Sequence, residues 1–396
     1  LESASRNPPF SSGVYTWWHW MNGNITKDGI TRDLEAMKAN GIAGYQLFEA
    51  GSGIPIGPVE SLSDEWVDLI LHTLKESERL GLEFAMHNCP GWSSSGGPWI
   101  TPDKAMQIIT WSETKITGGK QVRIQLPTPK HMFDYYIDTY CLAIPANMKV
   151  IPRLSILELS NRLDKDGVLT WDVPTGEWLI MRFGQTAKDQ KNKSAPSKST
   201  GLDCDKFSTE ALDYHLNCMF KRLMPAMEKI AKHSKIGLLI DSYETGDQDW
   251  TSDMPAYFEQ SHGYELYPFL PVLANKIVES EESTKRFLFD FRRVRADMFA
   301  ERYYGHFQKR CKEKGIITYT EPYGGNMMEE LQVAQQLDIN MGEFWCGQTV
   351  LWANYKYNRT VKQVASIAHT LGGKVVGAEA FTSEPDADKW LQYPYA

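Results

Sequence analysis

Strand and helix signals alternate from the start of this chain, and that alternation restricts its fold more than any other feature of the 396 residues. Val14 to Trp20 is β-branched and aromatic, the composition of a strand. Thr26 then stands as an N-cap ahead of Ile30, Leu34 and Met37, which recur at helical spacing up to Asn40-Gly41. Ile42 to Phe48 reads as a second buried strand. Ser63 caps a second helix with Trp66, Leu69, Ile70 and Leu74 on one face, and Gly81 stops it. Leu82 to His87 is the third strand. Strands separated by crossover helices run parallel and need helices to cover them.

The pattern breaks after residue 104. From about Gln107 to Gln185 short strands and turn signals such as Gly118-Gly119 and Asp166-Gly167 replace helical periodicity. Residues 105–187 therefore read as an inserted all-β, sandwich-like domain, with 1–104 and 188–396 as the two parts of a β/α barrel. Lys188 to Thr200, polar and Lys-rich, reads as a mobile loop or a lid. Further strands follow at Ile236–Asp241, Ile316–Thr320, Asp338–Phe344 and Val375–Ala380. A long helical stretch fills about Phe287–Lys314, and Thr360 with Gln363 reads as a capping box opening a helix that Gly372-Gly373 closes. A closed barrel of this kind has eight strands. The expected fold class is thus α/β, a (β/α)8-type barrel whose last strand lies beyond Ala396.

Composition removes several classes of function. With 42 Lys+Arg against 50 Asp+Glu the formal charge is −8, and no basic stripe offers phosphate contacts, so nucleic acid is not an expected partner. No apolar run approaches the roughly 18 residues that span a bilayer. The six cysteines form no C-x-x-C pair, so unpaired thiols are expected rather than a zinc site or a disulfide framework. A chain that starts at Leu1 is expected to have lost a leader or to be trimmed. Oligomeric state is not legible.

Catalytic groups of a β/α barrel lie at the carboxyl ends of the strands, where several loops surround one cavity. Glutamates fall there on four strands: Glu244 after Asp241-Ser-Tyr, Glu321 after Thr318-Tyr-Thr, Glu343 in Asn340-Met-Gly-Glu, and Glu379 in Val376-Gly-Ala-Glu. Burying acids costs free energy, so a set of this kind points to carboxylate chemistry. Paired carboxyls hydrolyse glycosides, one keeping its proton for the leaving oxygen while the other attacks or activates water. Acids on the fourth and seventh strands face each other across the mouth, which selects Glu244 and Glu379. Glu321 and Glu343 become binding or metal candidates. Eight of the 13 tryptophans (Trp17, Trp18, Trp20, Trp92, Trp99, Trp250, Trp345 and Trp352) follow or end these strands, as sugar stacking would use them. The Gly/Pro/Ser-rich run His87 to Trp99 reads as a substrate loop. Asp164-Lys-Asp-Gly starts like a calcium loop but reads as a hairpin turn, and Thr26 and Thr360 read as caps rather than parts of glycosylation sequons.

Four blocks, Trp20-Met-Asn-Gly-Asn-Ile-Thr-Lys-Asp-Gly-Ile-Thr-Arg-Asp-Leu-Glu-Ala-Met37, His87-Asn-Cys-Pro-Gly-Trp-Ser-Ser-Ser-Gly-Gly-Pro-Trp99, Gly201-Leu-Asp-Cys-Asp-Lys206 and Asp241-Ser-Tyr-Glu244, resemble the α-L-rhamnosidases of glycoside hydrolase family 106. The resemblance runs from about Pro8 to the end. It implies an inverting, exo-acting enzyme on rhamnose-bearing plant polysaccharides or glycans, exported to the periplasm or beyond, with a calcium ion at the sugar. Glu244 would be the general acid and Glu379 the general base, with Glu343 the carboxylate candidate for calcium. Trp20, Asn22, His87, Asn88, Trp92, Trp99, Asp241, Glu321 and Trp345 are the expected substrate-binding residues. Two rival readings remain: a retaining glycosidase with the same acids, and a carbohydrate-binding protein that does not cleave.

Overall fold

The computed structural model of the chain describes residues 13–92, 95–345, 351–373 and 375–382, the side chains of 345, 351–358 and 381 excepted. Seven parallel strands form one sheet in sequence order: β1 (Val14–Met21), β2 (Ile42–Ala50), β3 (Glu83–His87), β4 (Ile236–Ile240), β5 (Ile317–Thr320), β6 (Ile339–Trp345) and β7 (Gly377–Thr382). Each pairs in parallel only with its neighbours in that order, for example Trp20 beside Glu49 on β1 and β2, and Glu343 beside Glu379 on β6 and β7. The sheet is curled, because residues of both its end strands, Val14 to Trp17 and Gly377, line one cavity of about 460 Å3 together with Tyr319 and Met341. The seven described strands make a curled half-barrel, the α/β arrangement expected from the sequence, and β1 and β7 do not pair among the described residues.

Helices α1 (Lys27–Ala39) and α2 (Asp64–Leu80) cover the outer face. Thr26 Oγ1 accepts the Gly29 N–H at 3.1 Å and Ser63 Oγ accepts that of Trp66 at 3.2 Å, so both act as N-caps, and Gly81 ends α2 in the left-handed conformation. The long helical stretch expected to end near Lys314 is interrupted. It runs as α3 (Glu281–Met298), one wide-turned segment at Phe299–Gly305, and α4 (His306–Lys312). Residue Thr360 is not a cap either, since α5 runs from Leu351 to Thr370 around it.

Between β3 and β4 the chain forms antiparallel strands. Gln107–Thr117, Glu177–Ala187, Ile137–Pro145 and Leu157–Glu158 lie side by side in one sheet, and Lys120–Gln125 pairs with Val168–Val173 in another. Asp164 Oδ1 accepts the N–H groups of Asp166 and Val168, closing a turn on Gly167.

Side chains alternate across β2, so Gln46 and Phe48 face the inside while Tyr45, Leu47 and Glu49 face the helices. Glu49 is buried, accepts the Ser61 hydroxyl at 3.0 Å, and is pushed up to about 7 by that burial. A carboxyl raised in this way stabilises the fold fully below its ordinary pKa near 4.5, and that contribution is lost as pH rises through 7. Wild-type protein is therefore expected to lose about 3 kcal/mol more between pH 5 and pH 8 than Glu49→Gln in urea denaturation. Parallel profiles would mean that Glu49 is ionised in the fold.

Candidate active site

Strands β4 to β7 each carry an acid at or just past their carboxyl ends. Strand β4 is Ile-Gly-Leu-Leu-Ile, buried throughout, and the first polar group past it is Asp241. Its Oδ2 lies 2.8 Å from His87 Nε2 at the end of β3, and both side chains are buried. The other ring nitrogen, Nδ1, faces the Leu47 carbonyl at 3.2 Å. A carbonyl can only accept, so Nδ1 donates to Leu47 and Nε2 is the ring nitrogen turned to the Asp241 carboxyl.

Glu321 follows β5 and is buried, its Oε2 receiving the Tyr323 hydroxyl at 2.5 Å. Burial raises its pKa well above the carboxylate range, and the charges of Asp241 and Glu379 raise it further. Its Oε1 is buried and, among the described residues, receives no N–H or O–H of an uncharged donor, while the side chain stands within hydrogen-bond reach of Asp241. Glu379, on β7, accepts the Thr382 hydroxyl at 2.6 Å on Oε1 and is pushed up to about 7. Burial is the main cause, and repulsion from Glu343, Asp241 and Glu244 adds to it. Four strands thus bring Asp241, Glu244, Glu321 and Glu343 within electrostatic reach of Glu379.

Glu244 differs from the rest. It stands on the loop after β4, its side chain 36% exposed, and its Oε2 accepts two N–H donors: Trp92 Nε1 at 3.2 Å and Lys193 Nζ at 2.5 Å. The Trp92 ring stacks on Phe48 with centroids 5.5 Å apart. Phe48 also meets His87 edge-on at 4.6 Å and His19 at 4.8 Å, while Trp17 lies 5.2 Å from His87, so an aromatic wall flanks the acids.

Glu343 is held through its backbone. Thr360 Oγ1 on α5 accepts the Glu343 N–H at 3.1 Å and donates to its carbonyl at 3.2 Å, which locks the strand under the side chain. Among the described residues, however, no three of His, Cys, Asp and Glu are grouped to hold a metal ion.

The structure moves four of the expected sugar contacts out of the mouth. Trp20 sits on the helix-facing side of β1, buried against Trp18, which in turn donates to Asp33 of α1. Alternation along the strand puts Trp17 and His19 inside instead, a phase the sequence reading did not apply. Trp99 packs on His215, its Nε1 3.3 Å from the ring Nδ1. Asn22, in a left-handed turn, donates to the Ile54 carbonyl. Asn88 donates to the Leu239 carbonyl and accepts the Ser95 hydroxyl, so its amide braces the loop. His87, Trp92, Asp241 and Glu321 do gather at the mouth. The side chain of Trp345, together with Trp352, Ser93 and Ser94, lies outside the described residues.

Residues Lys188 to Thr200 are a sewn strap, not the loose loop or lid expected. The Lys193 carbonyl accepts the Trp92 N–H at 3.2 Å, that of Ser194 accepts the Gly51 N–H at 2.7 Å, and buried Asn192 donates to Pro90 and Ser199. Gly91 is required beneath it, since a Cβ there would stand 2.0 Å from the Lys193 oxygen. Lys193 is a site residue that sequence reasoning missed, as are Phe48 and His19, and nothing in the spacing of Lys193 marks it.

A curled parallel β/α sheet whose strands end in facing carboxyls, walled by aromatic rings, has the arrangement of a barrel-type glycoside hydrolase. The chain belongs to glycoside hydrolase family 106, the α-L-rhamnosidase family, whose sequence profile matches residues 6–139 and 130–396. A curated relative from Formosa agariphila, provisionally named a beta-glucuronidase, is 41% identical over 425 residues, covering 100% of this chain and 36% of its own length. A solved rhamnosidase from Novosphingobium sp. PP1Y superposes with a TM-score of 0.84 at 24% identity, covering 96% of this chain and 53% of that one, a likeness of fold. The chain thus spans between about a third and about half the length of these relatives.

Proposed function

We propose that the protein containing this chain is an exo-acting, inverting α-L-rhamnosidase that releases L-rhamnose from plant polysaccharide or glycan side chains. The observation that carries the reading is the placement of Asp241, Glu244, Glu343 and Glu379 at the carboxyl ends of parallel strands of one sheet, near enough for the other three charges to bear on Glu379. A pure binding protein needs no such costly cluster of acids. In the proposed reaction Glu244 donates a proton to the glycosidic oxygen as Glu379 takes one from an attacking water on the opposite face of the ring. The water adds to the anomeric carbon as the bond to the leaving oxygen breaks. His87, held by Asp241, and the rings of Trp17, Phe48 and Trp92 shape the sugar's seat.

One observation favours a second reading with the roles exchanged. Glu379 is the carboxyl that is pushed up to about 7, whereas Glu244 Oε2 accepts the N–H groups of Trp92 and Lys193. Leaving-group dependence separates the two.

Calcium enters the proposal through the family resemblance. Glu343 and Glu321 carry oxygen donors of the kind a hard cation takes, but they do not fit a three-ligand group among the described residues, and no step above runs through a cation. Export is likewise proposed from the resemblance; the described helices include none long and apolar enough to cross a membrane.

The test is a proton-NMR time course of aryl α-L-rhamnoside hydrolysis by the full-length protein. β-Rhamnose is expected first, with the α-anomer growing in by mutarotation. First appearance of the α-anomer would make the enzyme retaining, and no release of rhamnose would remove the hydrolase reading.

A further inference from the structure

The strap contradicts the charge of the chain that carries it. Within residues 188–200 stand Lys188, Lys191, Lys193 and Lys198 against the single Asp189, in a protein of net charge −8. It is fastened to the loops after β2 and β3, which holds Lys193 at the mouth. Lys188 donates to the Asp247 carbonyl, three residues past Glu244. Lys193 reaches furthest in, its ammonium on Glu244 Oε2 while 52% of its side chain stays open to solvent.

For a proton donor that is an awkward neighbour. An ammonium beside a carboxyl stabilises the ionised form, the one that has no proton to give. The conflict disappears if the substrate brings its own negative charge to the same spot. We propose that Lys193 reads an anionic substituent, a carboxylate or a sulfate, on the sugar at the leaving-group side of the scissile bond. The inference rests on the reading of Glu244 as the acid, because the group next to the acid is the leaving group. On binding, the substituent takes the Lys193 ammonium, and Glu244 retains the neutral Trp92 N–H as its donor. The strap thereby couples recognition of an acidic sugar to release of the proton donor, and it disfavours neutral substrates, which leave the ion pair in place.

The experiment measures binding and turnover of three rhamnosyl disaccharides by the full-length protein, their second sugar being glucuronate, sulfated glucose or plain glucose. The wild type is expected to bind an anionic disaccharide at least about 10-fold more tightly than the neutral one, the range of a charged hydrogen bond. That preference should shrink as salt rises from 50 to 500 mM. Lys193→Ala is expected to abolish the preference and Lys193→Arg to retain it. A preference for glucuronate alone identifies a uronate substrate, and for the sulfated sugar alone a sulfated one. Equal affinities in the wild type, or a preference that survives Lys193→Ala, would overturn the proposal. Preferential binding without any turnover would instead leave the anion site standing and remove the hydrolase reading.

Discussion

Glu244→Gln is expected to lower turnover about 10³-fold on an alkyl or phenyl rhamnoside, the range that general acid catalysis contributes. On a 2,4-dinitrophenyl rhamnoside, whose leaving group departs without a proton, the same variant should lose far less. Glu379→Gln should lose about as much on both substrates, because water activation is needed whatever leaves. Glutamine keeps the shape of each side chain, and circular dichroism of both variants should match the wild type. A dinitrophenyl rescue seen in Glu379→Gln instead would exchange the two roles. Near-normal turnover by either variant would remove that residue from the chemistry.

The second large effect is on stability. Lys206 is a fully buried cation, with Nζ 2.7 Å from Asp203 Oδ1, 3.2 Å from the Ser95 carbonyl and 5.0 Å over the Tyr303 ring. Around it Ser95 meets the Tyr303 hydroxyl and Asn88, so one ion pair ties the loop after β3 to the wide-turned helical segment. Burial alone would lower a lysine pKa, but the Asp203 charge outweighs it and keeps the group cationic. Lys206→Met removes one partner and strands the other, which typically costs about 3–5 kcal/mol. The expected result is a fall of that size in chemical denaturation. Asp203, already pushed up to about 6 by burial, should then take a proton, so the deficit should be smaller at pH 5 than at pH 8. A loss under 1 kcal/mol would show that the pair adds nothing net. Lys206→Met with Asp203→Leu should recover part of the stability, since the variant pair leaves no charge unpaired.

Much of the fold is legible because its signals are local. The seven strand cores, from Val14 to the Gly377 strand, stand out as β-branched or apolar runs between caps and glycines, and Thr26, Ser63 and Gly81 mark helix ends by chemistry acting within four residues. Thr360 fails for an instructive reason. Its hydroxyl and Gln363 have the pattern of a cap, yet the hydroxyl is used by the backbone of Glu343 on a strand 17 residues away. Trp20 fails because aromatic content says nothing about phase; only the pleat decides that Trp17 faces the mouth and Trp20 the helices.

Strand order and the acids at strand ends follow from the one-dimensional pattern, since parallel β/α connection places each successive strand beside the last and each strand end at the same rim. What those acids do to one another belongs to the tertiary structure alone. Glu379 is raised to about 7 because curling of the sheet buries it against three other carboxyls, and a strap from a distant part of the chain lays Lys193 upon Glu244. Charge interactions fall off with distance through space and with exposure to water, and neither quantity is written in the order of residues.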